Sequence, residues 1–154
     1  MTAGRLKMVE KYVGNKTFMM TYGDGVADVN IKKLVEFHKS HQKSATTTAV
    51  QLAGKFGALN INKDNAITSF LEKPKGDGGW VNGGFFVLEP EVFELLKDDT
   101  TVWEREPLES LAKKRQLNAY KHDGFWQCMD TQRDKIELEM LWSGNKTPWK
   151  IWES

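Results

Sequence analysis

The stretch "TFMMTYGDGVAD", residues 17–28, determines the fold class that the sequence predicts. Its first six residues lack the polar alternation of a half-solvated strand, so we predict a strand covered on both faces, as in a mostly parallel sheet. Asp24 follows the carboxyl end of that strand and lies between two glycines. Because glycine lets a ligand approach the backbone closely, the stretch predicts a carboxylate presented at an open strand end.

The residues after this strand end have helical periodicity. The apolar stripe consists of Ile31, Leu34, Val35 and His38. We predict a helix that runs to about Ser44, with Asp28 or Asn30 as its N-cap. "ATTTAVQL", residues 45–52, is rich in β-branched residues and predicts the second strand of a βαβ unit.

The middle of the chain predicts an antiparallel hairpin. "FGALNINKDNAITSFLEKP", residues 56–74, contains two short apolar runs around the turn "KDN". Asp64 and Asn65 tolerate the left-handed conformation that such a turn needs. We predict that "KGDGG", residues 75–79, is a flexible loop and that "VNGGFFVL", residues 81–88, is a buried strand.

The last third predicts further alternation of helices and strands. We expect one helix with Pro90 in its first turn and a second helix from Glu104 to Gln116. "LNAYKHD" and "GFWQCMD" are short strand candidates, and Thr131 with Asp134 predicts a capping box that opens a final helix. Strands alternating with helices, plus one hairpin, predict a single α/β domain over residues 1–154, with a Rossmann-like mixed sheet.

The composition excludes several classes of protein. The 154 residues contain 22 Lys and Arg against 21 Asp and Glu, a net charge of +1, so no global field favours nucleic acid or a membrane surface. One cysteine, Cys128, allows no internal disulfide and fits a reducing compartment. We find no apolar run long enough to span a membrane and no signal peptide, and we expect a cytoplasmic protein.

Two carboxylates are the leading candidates for chemistry. Asp24 and Asp130 both follow apolar runs at predicted strand ends, so both can lie at one edge of the sheet. Aspartate is also common in ordinary turns, and either residue alone fits that interpretation. As a pair they predict a divalent cation, because Mg²⁺ prefers carboxylate and phosphate oxygens and because close like charges require a counter-ion.

Other candidates carry a weaker signal. Lys73, next to Glu72 and Pro74, suits a phosphate contact, although most such lysines are surface residues. Asn82 in "NGG" can bind a sugar hydroxyl or can mark a bulged strand start.

Histidine and cysteine contribute little to the candidate site. We assign His38 and His41 to a solvated helix face rather than to a metal site, because no further ligands accompany them at suitable spacing. A packed thiol is the better interpretation of Cys128.

The order of the motifs resembles one family over nearly the whole chain. "TYGDGVADVNIKKLVEFHKSH", "GKFGALNI", "FLEKPKGDGGWVNGGFFVLEPEVFELL", "TVWEREPLESLAKKRQLNAY" and "GFWQCMDTQRDK" together are similar to the glucose-1-phosphate cytidylyltransferases, which are sugar-nucleotide pyrophosphorylases of the nucleotidyltransferase family. The resemblance implies the fold of that family and its reaction, in which CTP and glucose 1-phosphate give CDP-glucose and pyrophosphate.

The resemblance also implies roles for individual residues. Asp24, Lys73 and Asp130 match the catalytic positions, and the two aspartates match the Mg²⁺ ligands. The matching substrate contacts are Glu72, Asn82, Gly83 and Gly57.

The chain departs from this family in one large respect. No "GGxGTR"-type loop, which holds the triphosphate in the family, is present, and Cys128 stands where the family typically has proline. Three interpretations remain open. The chain is the sugar-phosphate part of a cytidylyltransferase that lacks the CTP site and is inactive alone. Alternatively, it is an assembly module that forms a homo-oligomer through an exposed sheet edge and the surface of Trp103, Trp142, Trp149 and Trp152, or it regains activity with a separate nucleotide-binding chain.

Overall fold

The computed structural model describes residues 2–53, 58–71, 75–98 and 100–152. The first half of the chain forms α1 (Thr2–Val13), β1 (Phe18–Thr21), β2 (Gly25–Ala27), α2 (Ile31–His41), β3 (Ala45–Ala53), β4 (Ala58–Ile61) and β5 (Ile67–Leu71). The second half forms β6 (Lys75–Leu88), a 3₁₀-helix (Pro90–Leu95), α3 (Glu106–Lys113), β7 (Leu117–His122), β8 (Trp126–Cys128) and α4 (Gln132–Ser143).

The main sheet has four strands in the order β1-β6-β3-β7. β6 is antiparallel to both β1 and β3, whereas β3 and β7 are parallel. The mixed α/β fold predicted from the sequence is therefore confirmed. Because β1, β3 and β7 run in one direction, their carboxyl ends share one edge of the sheet with the amino-terminal half of β6.

Two smaller ladders accompany the main sheet. β2 pairs with β8 in antiparallel register, with Gly25 opposite Cys128. β4 and β5 form the predicted hairpin, and Asn65 in its turn has a φ of 63°. The predicted hairpin is therefore confirmed. It could be predicted because the residues of a short turn decide how the two adjoining strands pair.

The larger hydrophobic core lies between the main sheet and the elements around the 3₁₀-helix. Its central side chains are Phe86, Leu88, Val92, Phe93 and Trp103, all buried. The Phe86 and Trp103 rings meet edge to face at 5.8 Å. Trp103 has no exposed surface, so the prediction that it contributes to an apolar surface is wrong. Trp142 and Trp152, each 57% exposed, do contribute to such a surface.

Two predictions for the strands are wrong. β1 is an edge strand that alternates between half-buried and exposed residues, and Met19 is 59% exposed. A run of apolar letters cannot distinguish a central strand from an edge strand, because neighbours decide the burial. The predicted loop at residues 75–79 belongs to β6, where Lys75 pairs with Ala53. Pairing with the long strand β3 overrides the low strand propensity of its glycines.

The helices differ from the prediction mainly in their limits. α2 begins after Asn30, one of the two predicted caps, since the Asn30 side chain accepts from the Lys33 N–H, but the helix ends at His41. The Thr131–Asp134 capping box is confirmed. Pro90 opens a 3₁₀-helix, and α3 is shorter than predicted at both ends. In the described part of the chain, no helix has the length and apolarity that crossing a bilayer requires.

The assignment of His38 to a solvated face is wrong. The side chain is buried at 1% exposure, and it contacts Thr46 Oγ1 through Nδ1 (2.8 Å) and Glu89 Oε1 through Nε2 (3.0 Å). His38 lies on the apolar stripe of α2, which packs against the sheet, so its ring is satisfied by polar partners inside the fold.

Candidate functional site

Asp24 and Asp130 both lie at the same end of the β2–β8 ladder. Asp24 immediately precedes β2, and Asp130 comes two residues after β8. The Met129 N–H donates to the Asp24 carbonyl oxygen at 2.7 Å, which extends the ladder by one pair. Both aspartates are exposed. The fold therefore brings two exposed aspartates, which are 106 positions apart in sequence, to nearby backbone positions.

A hydrogen-bonded turn holds β8 in this position. Asp28 Oδ1 accepts from the Phe125 N–H at 2.7 Å and lies 2.9 Å from His122 Nε2. The Asp28 N–H in turn donates to the Phe125 carbonyl at 3.2 Å. These contacts join the residue after β2 to the connection between β7 and β8, so they fix the register of the β2–β8 ladder.

Cys128 lies beside the Asp130 carboxylate. Burial raises the pKa of the Cys128 thiol, and a hydrogen bond to Asp130 together with its charge raises it further. A thiol in such an environment stays protonated near neutral pH. This agrees with the interpretation of Cys128 as a packed thiol rather than a nucleophile.

Asn82 is held at a bulge in β6. The register between β3 and β6 shifts between Thr47 and Ala49, where Asn82 pairs with Ala49. Asn82 Oδ1 accepts from Thr47 Oγ1 and from the Gly84 N–H, both at 2.9 Å. The bulge that the sequence suggested is present, and it turns the side chain of Asn82 toward the carboxyl end of β1.

Tyr22 and Glu104 complete this group, and sequence reasoning missed both. Asn82 Nδ2 donates to the Tyr22 hydroxyl oxygen at 3.2 Å, and that hydroxyl donates to Glu104 Oε1 at 2.5 Å. Burial raises the pKa of Tyr22, followed by the hydrogen bond and charge of Glu104; the charge of Asp24 adds to the shift. The only sequence signal for Tyr22 is its position two residues before Asp24, and none marks Glu104.

The two glycines after Asn82 are required by close packing. A Cβ on Gly83 would lie 3.0 Å from Val50 Cγ1 and 3.1 Å from the Thr48 carbonyl oxygen. Gly84 has a φ of 78°, and a Cβ there would lie 2.8 Å from the Tyr22 ring. The Gly83 carbonyl accepts from Trp126 Nε1 at 2.8 Å. The motif "NGG" therefore leaves room for the Tyr22 ring and connects β6 to β8 through a hydrogen bond.

Asp24 lines two open clefts. The first, of about 620 Å³, lies between α1 and the end of β1 and includes Arg5, Tyr22 and Glu104. The second, of about 650 Å³, lies against α4 and includes Lys135 and Trp149. Asp24 thus lies between a cleft that contains the charged side chains of Arg5 and Glu104 and a cleft that contains two tryptophan rings.

The predicted phosphate and sugar contacts Glu72, Lys73 and Gly57 lie outside the described residues. Among the residues that are described, no group of three or more His, Cys, Asp and Glu side chains could hold a metal ion. Two exposed carboxylates nevertheless fit a hard divalent cation, because Mg²⁺ commonly takes one or two carboxylates and completes its shell with water and phosphate oxygens.

Comparison with known proteins defines the class. The family described as "Nucleotidyl transferase" matches residues 2–140 of the chain, and the chain belongs to that family. Within it, the chain is similar to glucose-1-phosphate cytidylyltransferase of Salmonella typhimurium, with 56% identity over 154 residues that cover 99% of this chain and 60% of that protein. The probable glucose-1-phosphate cytidylyltransferase of Bacillus subtilis is 41% identical and covers 99% and 59% respectively.

These relatives confirm the resemblance found in the sequence. The chain spans about 60% of the length of the curated cytidylyltransferases that it matches.

Solved structures support the fold. A putative glucose-1-phosphate thymidylyltransferase from Bacillus anthracis aligns with a TM-score of 0.65 at 20% identity, over 90% of this chain and 59% of that one. HddC from Yersinia pseudotuberculosis aligns with a TM-score of 0.61 at 24% identity, over 88% and 60%.

Proposed function

We propose that the chain carries the sugar-phosphate and metal-binding part of a glucose-1-phosphate cytidylyltransferase site. The observation that supports this most is the placement of Asp24 and Asp130 at the same end of the β2–β8 ladder, where the Asp24 backbone bonds Met129. The Tyr22–Asn82 contact lies in the turn that precedes Asp24. The 56% identity to a cytidylyltransferase favours CTP and glucose 1-phosphate as the substrates of the whole protein.

In the proposed reaction one phosphorus–oxygen bond forms and another breaks. A phosphate oxygen of glucose 1-phosphate attacks the α-phosphorus of CTP, the bond between the α- and β-phosphates breaks, and pyrophosphate leaves. When bound, Mg²⁺ would neutralise charge that develops on the phosphate oxygens. Asp24 and Asp130 would hold the cation, Asn82 would bind the sugar, and the backbone at Gly83 would shape the sugar pocket.

Three further roles rest on the resemblance of motifs alone. Lys73 would neutralise and orient the sugar phosphate, Glu72 would bind a sugar hydroxyl, and Gly57 would allow close approach of the substrate. An ammonium group suits the phosphate role because it donates several hydrogen bonds and carries a full charge.

Titration of glucose 1-phosphate in the presence of Mg²⁺ tests this proposal. Wild type should bind weakly, and Asp24→Asn should weaken binding by roughly tenfold, because a ligand to the cation is lost. Lys73→Ala should weaken it as well. Asp64→Asn is the matched control, since it removes an exposed carboxylate from the turn of the β4–β5 hairpin, outside the proposed site. Equal affinity of wild type and Asp24→Asn would remove the aspartate from the site.

A second candidate function is that of a non-catalytic assembly module. One observation favours it: the β4–β5 hairpin exposes five large apolar side chains, which are Leu59, Ile61, Ile67, Phe70 and Leu71. β1 adds an edge strand with Met19 exposed. Such surfaces favour association into a homo-oligomer. Light scattering that gives a monomer mass at every concentration would contradict this candidate.

A further inference from the structure

The Asn82 side chain has one fixed orientation. Its Oδ1 accepts from the Gly84 N–H, which is a backbone donor and cannot reverse its role. Thr47 Oγ1 donates to the same oxygen. The amide nitrogen therefore faces Tyr22, and one of its two N–H groups donates to the Tyr22 hydroxyl oxygen. The second N–H is left over, and Asn82 is exposed, so a ligand can reach this donor.

Glu104 decides the direction of the next hydrogen bond. A tyrosine hydroxyl has a single proton, and Tyr22 donates it to Glu104 Oε1 at 2.5 Å. The hydroxyl oxygen is then free to accept from Asn82. Without the Glu104 carboxylate, the hydroxyl proton of Tyr22 could point toward the Asn82 nitrogen. Two donors would then face each other, and the hydrogen bond from Asn82 to Tyr22 would be lost. Glu104 thus acts on Asn82 through Tyr22.

The hydroxyl of Tyr22 is also fixed in position. The Tyr22 ring lies directly against Gly84 and meets the buried Phe86 ring at 5.5 Å. Its backbone N–H donates to the Gly84 carbonyl at 3.0 Å. Because burial and Glu104 raise the pKa of Tyr22, the hydroxyl keeps its proton at neutral pH.

We propose that Tyr22 and Glu104 are positioning residues that hold the Asn82 amide so that its second N–H donates to a hydroxyl oxygen of the bound sugar phosphate. This role rests on the proposed function, in which Asn82 binds the sugar. It adds Tyr22, which follows β1, and Glu104, which lies before α3, to the recognition of the sugar. Neither residue is assigned a contact with the phosphate.

Nuclear magnetic resonance of the ¹⁵N-labelled 154-residue chain tests the proposal. Backbone amides around the site report binding in every variant, and the Asn82 side-chain amide reports its own hydrogen bonds wherever Asn82 is present. Glucose 1-phosphate and methyl phosphate are each titrated with Mg²⁺; methyl phosphate has the phosphate but no sugar hydroxyls. The variants are Tyr22→Phe, Glu104→Ala, Glu104→Gln and Asn82→Ala. Tyr12→Phe is the matched control, because it removes a hydroxyl from an exposed residue of α1.

We expect Tyr22→Phe and Glu104→Ala to weaken glucose 1-phosphate binding about threefold to tenfold, the effect of one hydrogen bond. Glu104→Gln should restore affinity to within about twofold of wild type, since its amide oxygen can still accept from Tyr22. Methyl phosphate should bind equally to all these proteins, and the Asn82 amide resonances should shift in Tyr22→Phe before any ligand is added.

The possible failures are distinguishable. If Asn82→Ala weakens glucose 1-phosphate binding but Tyr22→Phe does not, the positioning role is overturned and the proposed function stands. If Tyr22→Phe weakens methyl phosphate as strongly as glucose 1-phosphate, the effect is a general structural one and the positioning role is overturned. If Asn82→Ala and wild type bind glucose 1-phosphate equally, both the role and the sugar contact fail.

Discussion

Gly84 is the residue on which the sugar side of the proposed site depends. Its N–H donates to Asn82, its carbonyl accepts from the Tyr22 N–H, and its missing side chain leaves room for the Tyr22 ring. Its φ of 78° lies in the left-handed region that side chains other than glycine adopt at a cost. One glycine thus satisfies a conformational requirement and a packing requirement together.

The Gly84→Ala substitution should therefore destabilise the protein by more than backbone strain alone. We expect it to lower the free energy of unfolding by about 2–4 kcal/mol, from left-handed strain plus displacement of Tyr22. Gly14→Ala is the matched control: Gly14 has a φ of 64°, but nothing lies within 4 Å of its Cβ position, so only about 1 kcal/mol should be lost. Urea unfolding measures both. Equal losses would show that packing against Tyr22 does not constrain Gly84.

Ionisation of Tyr22 gives a pH prediction. Its pKa in the folded protein is raised by burial first and then by Glu104, whereas an unfolded tyrosine ionises near pH 10. The unfolded chain therefore loses its proton first, and stability that is complete below about pH 10 should fall as the pH rises further. Glu104→Gln, which removes the charge, should lower the pKa of Tyr22.

Phenolate absorbance measures this titration, and Tyr22→Phe assigns the signal by its loss. A phenolate titration that is the same in wild type and Glu104→Gln would show that Glu104 does not act on Tyr22.

At the scale of elements, a chain of hydrogen bonds joins α2 to β3 and to the end of β6. The Lys43 N–H must donate to His41 Nδ1, and His38 Nε2 must donate to the Glu89 carboxylate. When both rings are neutral, His41 Nε2 donates to Thr46 Oγ1 at 2.7 Å and the Thr46 hydroxyl donates to His38 Nδ1 at 2.8 Å. A proton added to either ring converts its Nδ1 from an acceptor into a donor, so the hydrogen bond that this nitrogen accepted is lost.

This hydrogen-bond chain predicts a loss of stability at mildly acidic pH. Burial, and then the charge of His38, lower the pKa of His41 below its ordinary value of about 6.5. The unfolded chain therefore takes up the proton first, and stability that is present above about pH 6.5 should fall as the pH decreases.

His41→Gln keeps an N–H donor for Thr46 and removes the titrating group. The variant should lose less stability than wild type between pH 7 and pH 5 in urea unfolding, a range that brackets the ordinary histidine pKa of about 6.5. Identical losses would show that His41 contributes nothing to the pH dependence. Comparison with wild type cancels the titration of the carboxylates that both proteins share.

The elements also show what sequence can predict. The β4–β5 turn, the Asn30 cap and the Thr131–Asp134 capping box follow from residues close in sequence, and all three were predicted. The strand at residues 75–79, the burial of Trp103 and the environment of His38 follow from partners far away in sequence, and these were missed. Asp24, Asp130 and Asn82 are proposed as site residues from their motifs, whereas the contacts of Tyr22 and Glu104 are visible only in the coordinates.

At the scale of the whole molecule, the proposed site combines the turn between β1 and β2, strand β6, the turn after β8 and the segment before α3. The 154 residues contain no "GGxGTR"-type loop, and a loop of this kind places backbone N–H groups around a triphosphate. We therefore expect these 154 residues alone to form no CDP-glucose from CTP and glucose 1-phosphate with Mg²⁺. Turnover above a control lacking the protein, in material free of host enzyme, would contradict that expectation.

The central claim is that Asp24 and Asp130 share one divalent cation, and Mn²⁺ tests it most directly. Mn²⁺ has ligand preferences like those of Mg²⁺ and broadens the resonances of nearby nuclei. Small additions to the ¹⁵N-labelled chain should broaden the amides of residues 23–25 and 128–131 first, and Asp24→Asn and Asp130→Asn should each abolish this selectivity. Broadening that begins at other acidic residues, or that is unchanged in both variants, would contradict the account.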